Sequence, residues 1–565
     1  MNRSLVAPAL VTTLILGAAG GYALADAYDL VPGVLTLKPA LPTPQGPTQY
    51  TQQLTPRIET PPSFSHQSNP IDKAVFNTAL GNYLNDPRRD KTQLSLYVAQ
   101  VDGQALGQAR DPQWLGEHTK SPNPPVFDPG ILHEVITHNP DTFMAPASSM
   151  KILTAHAALG VLGPERRFYT SVVWDPVSAT MTLVGGGDVL LGTGASNPAV
   201  VNGYAGLETL ADLCVERLKE LGAYTGSEGS PMPVNVRVDD SLYGEEVRSP
   251  DWTTDEVNFV APIRPLAVGT GRVDPEKWEF VPEPGLHAGL GLANALNARG
   301  FAVQGEVTRG EAPPDFSPLK LLQRGRIAEG GALDTVEAKD AETVKSAKPG
   351  EAAKPPESPV EIGAVESAPV AQIVRLMLKE SDNTLAETLG RAAAIEAGKG
   401  DGFEGANAVV HQGATQRNDA HSHLKIRDCS GLSKDSRVSA RVLVDSLANS
   451  MFSSNPMVRS LAVNLPVAGV DGTLKGRYTS TATSGELRAK TGSLSATISL
   501  TGNFQVQGKV ILFSAIVTLE PGSKYYPTRA ALDDLLRAFN GETVDWQKPE
   551  PQEVPPSEMT PGNVP

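Results

Sequence analysis

Pro146-Ala147-Ser148-Ser149-Met150-Lys151 runs straight into residues 152–162, an uninterrupted helix-compatible stretch that Gly163-Pro164 stops. With a helix starting near Ser148, the hydroxyl of that residue sits at the positive end of the helix dipole. Lys151, three residues on, projects from the same face one turn later, so its amine can approach the Ser148 oxygen. Desolvation that lowers the lysine pKa lets the amine take the hydroxyl proton, and four residues then supply a nucleophile and its base. Alone, the Ser-x-x-Lys spacing is weak, because a helix start followed by a solvated lysine gives the same letters in many proteins.

Two further stretches follow in chain order. Ser381-Asp382-Asn383 ends the apolar segment 373–378, where a hydroxyl and a carboxamide can sit at a change of chain direction, and Lys490-Thr491-Gly492 opens a C-terminal hairpin. Ser381 can relay a proton to a leaving amine, Asn383 can orient a substrate amide and Lys151, and Lys490 with Thr491 offers a cation and a hydroxyl to a carboxylate. Gly492 lets the strand approach a ligand closely, and the backbone N–H groups of Ser148 and Ser493 are the candidates for an oxyanion hole. The three motifs in this order resemble the signature of penicillin-binding proteins and class A β-lactamases. The spacing of 233 positions from Ser148 to Ser381 exceeds the helical subdomain of class A β-lactamases, so an inserted domain is expected there.

The wording around the motifs resembles one family in particular, the class C low-molecular-mass penicillin-binding proteins, D-alanyl-D-alanine carboxypeptidases and endopeptidases of the peptidase S13 group. The phrases that carry this resemblance are Pro146-Ala-Ser-Ser-Met-Lys151, Gly185-Gly-Gly-Asp188, Asp239-Asp-Ser-Leu-Tyr243, Lys379-Glu-Ser-Asp-Asn-Thr-Leu-Ala-Glu387, Asp428-Cys-Ser-Gly-Leu-Ser433, Gly469-Val-Asp-Gly-Thr-Leu474 and Ala489-Lys-Thr-Gly-Ser493. The resemblance spans about residues 75–540. It implies a mixed α/β (α+β) fold: a transpeptidase or β-lactamase-like domain, an antiparallel sheet flanked by helices, split by inserted mostly-β domains. It further implies peptidoglycan stem peptides as substrate, β-lactams as covalent inhibitors, and no metal or organic cofactor. Two positions depart from the family wording: Cys429 replaces a usual glycine, and Lys434 replaces an arginine that helps hold the far end of the stem-peptide side chain, with an acid at the position of Asp239. Lysine keeps the charge and loses the bidentate fork.

Composition agrees with an exported enzyme. The chain has 565 residues, 63 acidic against 48 basic, a net charge of −15, and 40% hydrophobic residues, enough for a sizeable core and no footprint for nucleic acid. Asn2 and Arg3 precede an apolar run over residues 5–25 that ends Ala23-Leu-Ala-Asp-Ala27, an export segment for which cleaved signal and retained membrane anchor both fit. Residues 1–27 are therefore read as signal or anchor and 28–72 as a proline-rich spacer. The resemblance places the first part of the transpeptidase-like domain at residues 73–170, the inserts at 171–360, with a low-complexity loop at 324–359, and the second part at 361–540. Residues 541–565 are a proline-rich tail without a core. Only Cys214 and Cys429 are present, which excludes a disulfide framework and leaves one optional bridge.

Local patterns complete the expectation. Residues 94–99, 495–500 and 509–519 read as strands, the last two joined through a turn at Gly508, and Leu532, Leu535, Leu536 and Phe539 form one apolar helical stripe. Gly185-Gly186-Gly187-Asp188 reads as a strand-end turn, His421-x-His423 as a polar loop with no third metal ligand, Cys429 as a small buried residue near the site, and Cys214 as helix core. The function these readings converge on is a serine hydrolase acting on D-alanyl peptide bonds outside the cytoplasm. A serine β-lactamase and a cell-wall binding protein without turnover are the rivals.

Overall fold

The computed structural model describes residues 71–103, 131–227, 229–274, 277–324, 355–415, 423–453 and 455–547. The export segment, most of the spacer, residues 325–354 of the low-complexity loop, residues 548–565 of the tail, and His421 lie outside the described residues. Among the described residues no helix is long and apolar enough to cross a membrane.

The Lys-Thr-Gly motif belongs to a five-stranded antiparallel sheet. Its strands are β1 (Thr92–Val101), β2 (Leu132–His138), β9 (Arg488–Leu494), β10 (Thr497–Val506) and β11 (Lys509–Leu519), in the order β2-β1-β11-β10-β9. The hairpin β10–β11 turns at Gln507 and Gly508, whose φ values of 53° and 73° are those of a type I′ turn, the kind whose twist matches paired strands. Its first strand begins at Thr497, two residues later than the sequence pattern suggests.

Strand β11 is apolar on both faces because each face meets a helical layer. Ile511, Phe513, Ala515 and Val517 pack toward α1 (Ala74–Leu84) and the last helix, Tyr525–Phe539, whose stripe of Leu532, Leu535, Leu536 and Phe539 is fully buried. The rings of Phe76 and Phe539 lie 4.9 Å apart between those two helices. Val510, Leu512 and Ile516, on the other face, join a core with α2 (Met150–Leu162), the helix that carries Lys151. The period of two in the strand therefore sets α2 against the sheet.

The chain between α2 and the Ser-Asp-Asn motif builds a second sheet. Strands β3 (Tyr169–Asp175), β4 (Thr180–Gly185), β5 (Met232–Asp239), β6 (Phe301–Val303) and β8 (Val360–Glu366) run β6-β5-β4-β3-β8, with β7 (Thr308–Arg309) beside β5. β3 pairs antiparallel with β4 and β8, whereas β4 pairs parallel with β5. The parallel step requires a crossover, supplied by α3 (Leu207–Glu220). The insert, expected to be mostly β, thus also carries α3 and α4 (Pro284–Asn297), and both bury apolar faces in its core. Cys214 is inside α3 and fully buried; both cysteines are free.

Arg324, taken from sequence as the start of the loop, instead ends α5 (Pro318–Arg324), pairs with Glu361 at 2.9 Å and stacks on Tyr169. Replacing residues 327–352 with a short Gly/Ser linker, which spares that anchor, is expected to keep a single cooperative unfolding transition with Tm within about 2 °C. Loss of cooperativity in a calorimetric scan would place the segment in the core.

Candidate active site

Ser148 does not start the helix. It lies in a 3-10 turn, Ala147–Ser149, and α2 proper begins at Met150, because Ala147 takes a left-handed φ of 48°. For a residue with a Cβ that conformation costs about 1–2 kcal/mol. Close packing from two sides holds it there. A Cβ on Gly431, itself at φ 81°, would lie 1.9 Å from the Ala147 oxygen, and one on Gly492 would lie 2.1 Å from Ser499 Oγ and 2.8 Å from the Pro146 oxygen. Through the space that Gly492 leaves, the Ser499 hydroxyl donates to the Pro146 oxygen (2.7 Å) and meets Ser149 Oγ (2.8 Å). Gly492→Ala is expected to cost about 1–3 kcal/mol by overpacking and to slow acylation together with the fall in Tm. An unchanged Tm would mean that the edge strand β9 can shift away.

Lys151 is fully buried and its Nζ donates to three acceptors: Ser148 Oγ at 3.0 Å, Asn383 Oδ1 at 2.7 Å and the Ser430 carbonyl at 2.8 Å. Burial pulls its pKa down from 10.5 to about 8, against the opposing pull of Asp428, Asp382 and Glu387. In the neutral amine, two N–H groups can stay on Asn383 and Ser430, which leaves the lone pair facing Ser148 Oγ.

The carbonyl of Ser430 is fixed from behind by two buried acids. Glu387 accepts from the backbone N–H groups of Cys429 (3.1 Å) and Ser430 (2.8 Å). Asp428 accepts from Gly431 N (2.9 Å), Ser433 N (2.7 Å) and the indole N–H of Trp252 (2.8 Å). Burial, then the charge of Asp428, pushes Glu387 up to about 7, and burial raises Asp428 as well. Between them the Cys429 thiol is fully buried against Gly390, where a Cβ would lie 2.3 Å from Sγ. Burial and the two acids hold that thiol well above its usual pKa, which makes it a poor nucleophile.

The Ser-Asp-Asn motif is a joint between helices. Ser381, at a left-handed φ of 57°, caps α6 (Val370–Glu380), and Asp382 accepts from Leu385 N (2.9 Å) to start α7 (Asn383–Glu396). The end of α6 is pinned by Lys379, fully buried, which donates to Asp471 (2.6 Å) and the Leu465 oxygen (2.8 Å). Asn383 Nδ2 donates to the Phe259 carbonyl of the insert at 2.8 Å.

Lys490, on β9, reaches the joint from the other side: its Nζ donates to Ser381 Oγ (2.9 Å) and to the Thr491 oxygen (2.7 Å). It is fully buried, and burial together with Lys151 lowers its pKa well below the usual lysine value. The open cation expected at the mouth of the strand is thus a covered amine behind Ser381. Thr491, its neighbour, donates its hydroxyl to Thr473 Oγ1 at 2.8 Å. Ser493 lies on the same edge strand opposite Ile498.

The structure brings together Ser148, Lys151, Asn383, Ser381 and Lys490, with Gly492 against the serine turn. Asp239 lies on the second sheet and makes its hydrogen bonds there. That carboxylate, 3% exposed at the end of β5, accepts from Ser241 Oγ (2.7 Å) and N (3.2 Å) with one oxygen and from Ala312 N (2.7 Å) with the other. Lys434 is half-exposed and its Nζ lies 3.0 Å from Glu256 Oε1, so the insert acid facing it is Glu256. Sequence reasoning gave no role to Glu387, Asp428, Trp252 or Phe259. Glu387 and Asp428 stood inside phrases already singled out, whereas the acceptors Ser430 and Phe259 act through backbone oxygens, which no residue type reports.

Comparison with known proteins follows the same lines. The family model described as D-Ala-D-Ala carboxypeptidase 3 (S13) matches residues 131–279 and 340–538. A carboxypeptidase of Mycobacterium tuberculosis is 31% identical over 394 residues, 68% of this chain and 72% of the relative. The carboxypeptidase DacB of Mycolicibacterium smegmatis is 31% identical over 403 residues, 69% and 74%. The crystal structure of penicillin-binding protein 4 from Haemophilus influenzae superposes with a TM-score of 0.54 at 16% identity, covering 82% of this chain and 98% of its own, which is a likeness of fold. With a family model that matches more than half of the chain and relatives at this identity, the chain belongs to the D-Ala-D-Ala carboxypeptidase S13 family.

Proposed function

We propose that the protein cleaves D-alanyl peptide bonds of peptidoglycan stem peptides through an acyl-enzyme on Ser148, and that β-lactams acylate the same oxygen. The observation that carries the reading is the Lys151 amine, dry and held by Asn383 and Ser430 within 3.0 Å of Ser148 Oγ. Ser148 Oγ attacks the carbonyl carbon as its proton passes to Lys151 Nζ, and the oxyanion is received by the N–H groups of Ser148 and Ser493. The C–N bond then breaks while the departing amine takes a proton from Ser381, which is made good by the proton that Lys151 took from Ser148; Lys151 is neutral again for the second half, and Lys490 holds the Ser381 oxygen in place. Water cleaves the ester in the second half. No metal or cofactor takes part in these steps. The site works outside the cytoplasm, where peptidoglycan is, and the N-terminal apolar segment supplies the export route.

For the far end of the stem-peptide side chain, the half-exposed Lys434, paired with Glu256, supports a contact. Asp239 supports it less directly: its Oδ2 accepts one hydrogen bond, from Ala312 N, and has room for a second. For the peptide C-terminus, Thr491, whose hydroxyl turns its one proton from Thr473 to the ligand, receives the carboxylate with the Lys490 amine behind it. A charge-assisted hydrogen bond contributes about 1.5–3 kcal/mol, so replacing that carboxylate by a neutral amide is expected to lower kcat/KM roughly 10- to 150-fold. Thr491→Val should remove most of the difference; additive effects in the double-mutant cycle would place carboxylate recognition elsewhere.

Incubation with fluorescent penicillin and mass spectrometry of digested muropeptides test the reading together. A stable labelled adduct and release of D-alanine, from a stem peptide or from a cross-link, are expected. A folded protein that takes up no label would be a binding module, and one that sheds the label rapidly would be a β-lactamase.

A further inference from the structure

Asp382 stands between the two functional residues of its motif, is 1% exposed, and takes partners from the chain between β5 and α4 as well as from its own helix start. One carboxylate oxygen starts α7 through Leu385 N. The other lies 3.3 Å from Thr270 Oγ1 and 3.5 Å from Arg272 Nη2, both from the insert. The guanidinium of Arg272 is stacked 4.4 Å from the Trp278 ring centroid and 5.2 Å from that of Phe280, and it donates to the Lys277 oxygen. Thr270 is presented by three consecutive left-handed residues, Gly269 (φ 51°), Thr270 (φ 59°) and Gly271 (φ 74°). A threonine there stores about 1–2 kcal/mol of strain. The turn keeps it because Gly269 N and Thr270 N donate to Leu191 and Val189 oxygens, and Val281 N donates to Gly271 O.

The next two residues after Asp382 are held in the same way. Asn383 Nδ2 donates to the Phe259 oxygen, and Thr384 Oγ1 accepts from Ala261 N at 3.1 Å. Three successive residues of the joint thus take partners from the insert, and the middle one of them holds Lys151.

We infer that the insert is a working part of the catalytic centre, in which Arg272 and Thr270 are positioning residues that fix Asp382 and through it the placement of Ser381 and Asn383. A buried ion pair contributes little net stability, since desolvation offsets its attraction, but it restricts geometry. A displacement of Asn383 by about 1 Å would loosen its 2.7 Å contact with Lys151, and misplacement on that scale costs up to about 100-fold in rate. The inference rests on acyl transfer at Ser148.

The test compares Arg272→Met, Arg272→Lys, Thr270→Gly and the double variant Arg272→Met/Thr270→Gly in the full chain. It measures kcat and KM on a D-Ala-D-Ala peptide, the rate of acylation by a chromogenic β-lactam, and Tm. Glycine accepts the left-handed backbone without strain, so Thr270→Gly removes the hydroxyl and is expected to retain Tm. Arg272→Met is expected to lower kcat and acylation about 10- to 100-fold with KM within about 3-fold, Arg272→Lys to recover part of that loss, and Thr270→Gly to cost about 3- to 10-fold. The double variant should lose less than the product of the two, because both act through Asp382. Folded Arg272→Met and Thr270→Gly proteins that keep wild-type kcat, with a lower Tm alone, would overturn the inference. Should Arg272→Met not fold, Thr270→Gly decides by itself. Failure of acyl transfer at Ser148 would read differently, as a wild-type protein that takes up no β-lactam.

Discussion

Ser148→Ala is expected to give a folded protein that takes up no penicillin and hydrolyses D-alanyl substrates at least about 10⁴-fold more slowly than wild type. The loss is large because the oxygen is the atom that forms the covalent bond, and nothing else near it can substitute. Ser149, its neighbour, points its hydroxyl away into the Ser499 pair and is fully buried. Ser381 Oγ is already the acceptor of the Lys490 amine, at a site reached from the opposite strand. Stability should change little, since the Ser148 hydroxyl is removed from one 3.0 Å contact with an amine that keeps two other acceptors. Intact-protein mass spectrometry after incubation with penicillin, run beside a thermal scan, checks both halves. A penicilloyl adduct on folded Ser148→Ala would move the nucleophile to another residue.

The parts of this centre that were legible in the sequence are those in which side-chain type and spacing are the mechanism. Ser148 and Lys151 had to share a face, Ser381 and Asn383 had to flank a turn, and Gly492 had to lack a side chain; each requirement leaves letters behind. The β10–β11 hairpin and the stripe from Leu532 to Phe539 were readable for a similar reason, because burial on one face imposes a period. What was not legible depends on contacts between distant segments. That Ala147 would adopt a left-handed φ, and so push the helix start to Met150, follows from the packing of Gly431 and Gly492 against the turn. Lys490 reads as an open cation until β9 is laid along Ser381, after which it is a covered amine. The partners of Asp239, the turn to Ser241 and the N–H of Ala312, are likewise set by the fold and leave no letters in the sequence. Helices in the insert were underestimated because α4 is rich in glycine and alanine and carries its information in close approach to the sheet: a Cβ on Gly289 would lie 2.4 Å from Val238 Cγ2.

Lys151 is where the electrostatics of the site can be read by experiment. An amine acts as a base only when neutral, so with its pKa near 8 the acylation rate should climb about tenfold per pH unit below that value and level off above it. The sign follows from the environment: burial disfavours the ammonium and outweighs the three nearby carboxylates, whose pull in the other direction keeps the amine from becoming permanently neutral. Lys151→Ala should slow acylation by about 10²- to 10⁴-fold, the range of general-base contributions, and flatten the rising limb. Lys151→Arg keeps a cation and cannot give up its proton, so it should be as slow as Lys151→Ala while preserving the contacts to Asn383 and Ser430 better. The two acids behind Ser430 provide an internal control. Glu387→Gln keeps an acceptor oxygen for Cys429 N and Ser430 N but removes a negative charge that raises the lysine pKa, so the limb should move to lower pH. These profiles are best measured with a β-lactam whose own ionisations lie outside pH 6–10, following adduct formation directly. A limb that persists unchanged in Lys151→Ala would assign the titration to another group, Lys490 being the second lysine of depressed pKa in the same cleft. A wild-type rate independent of pH across that range would mean that the proton of Ser148 leaves by a route that does not involve a buried amine.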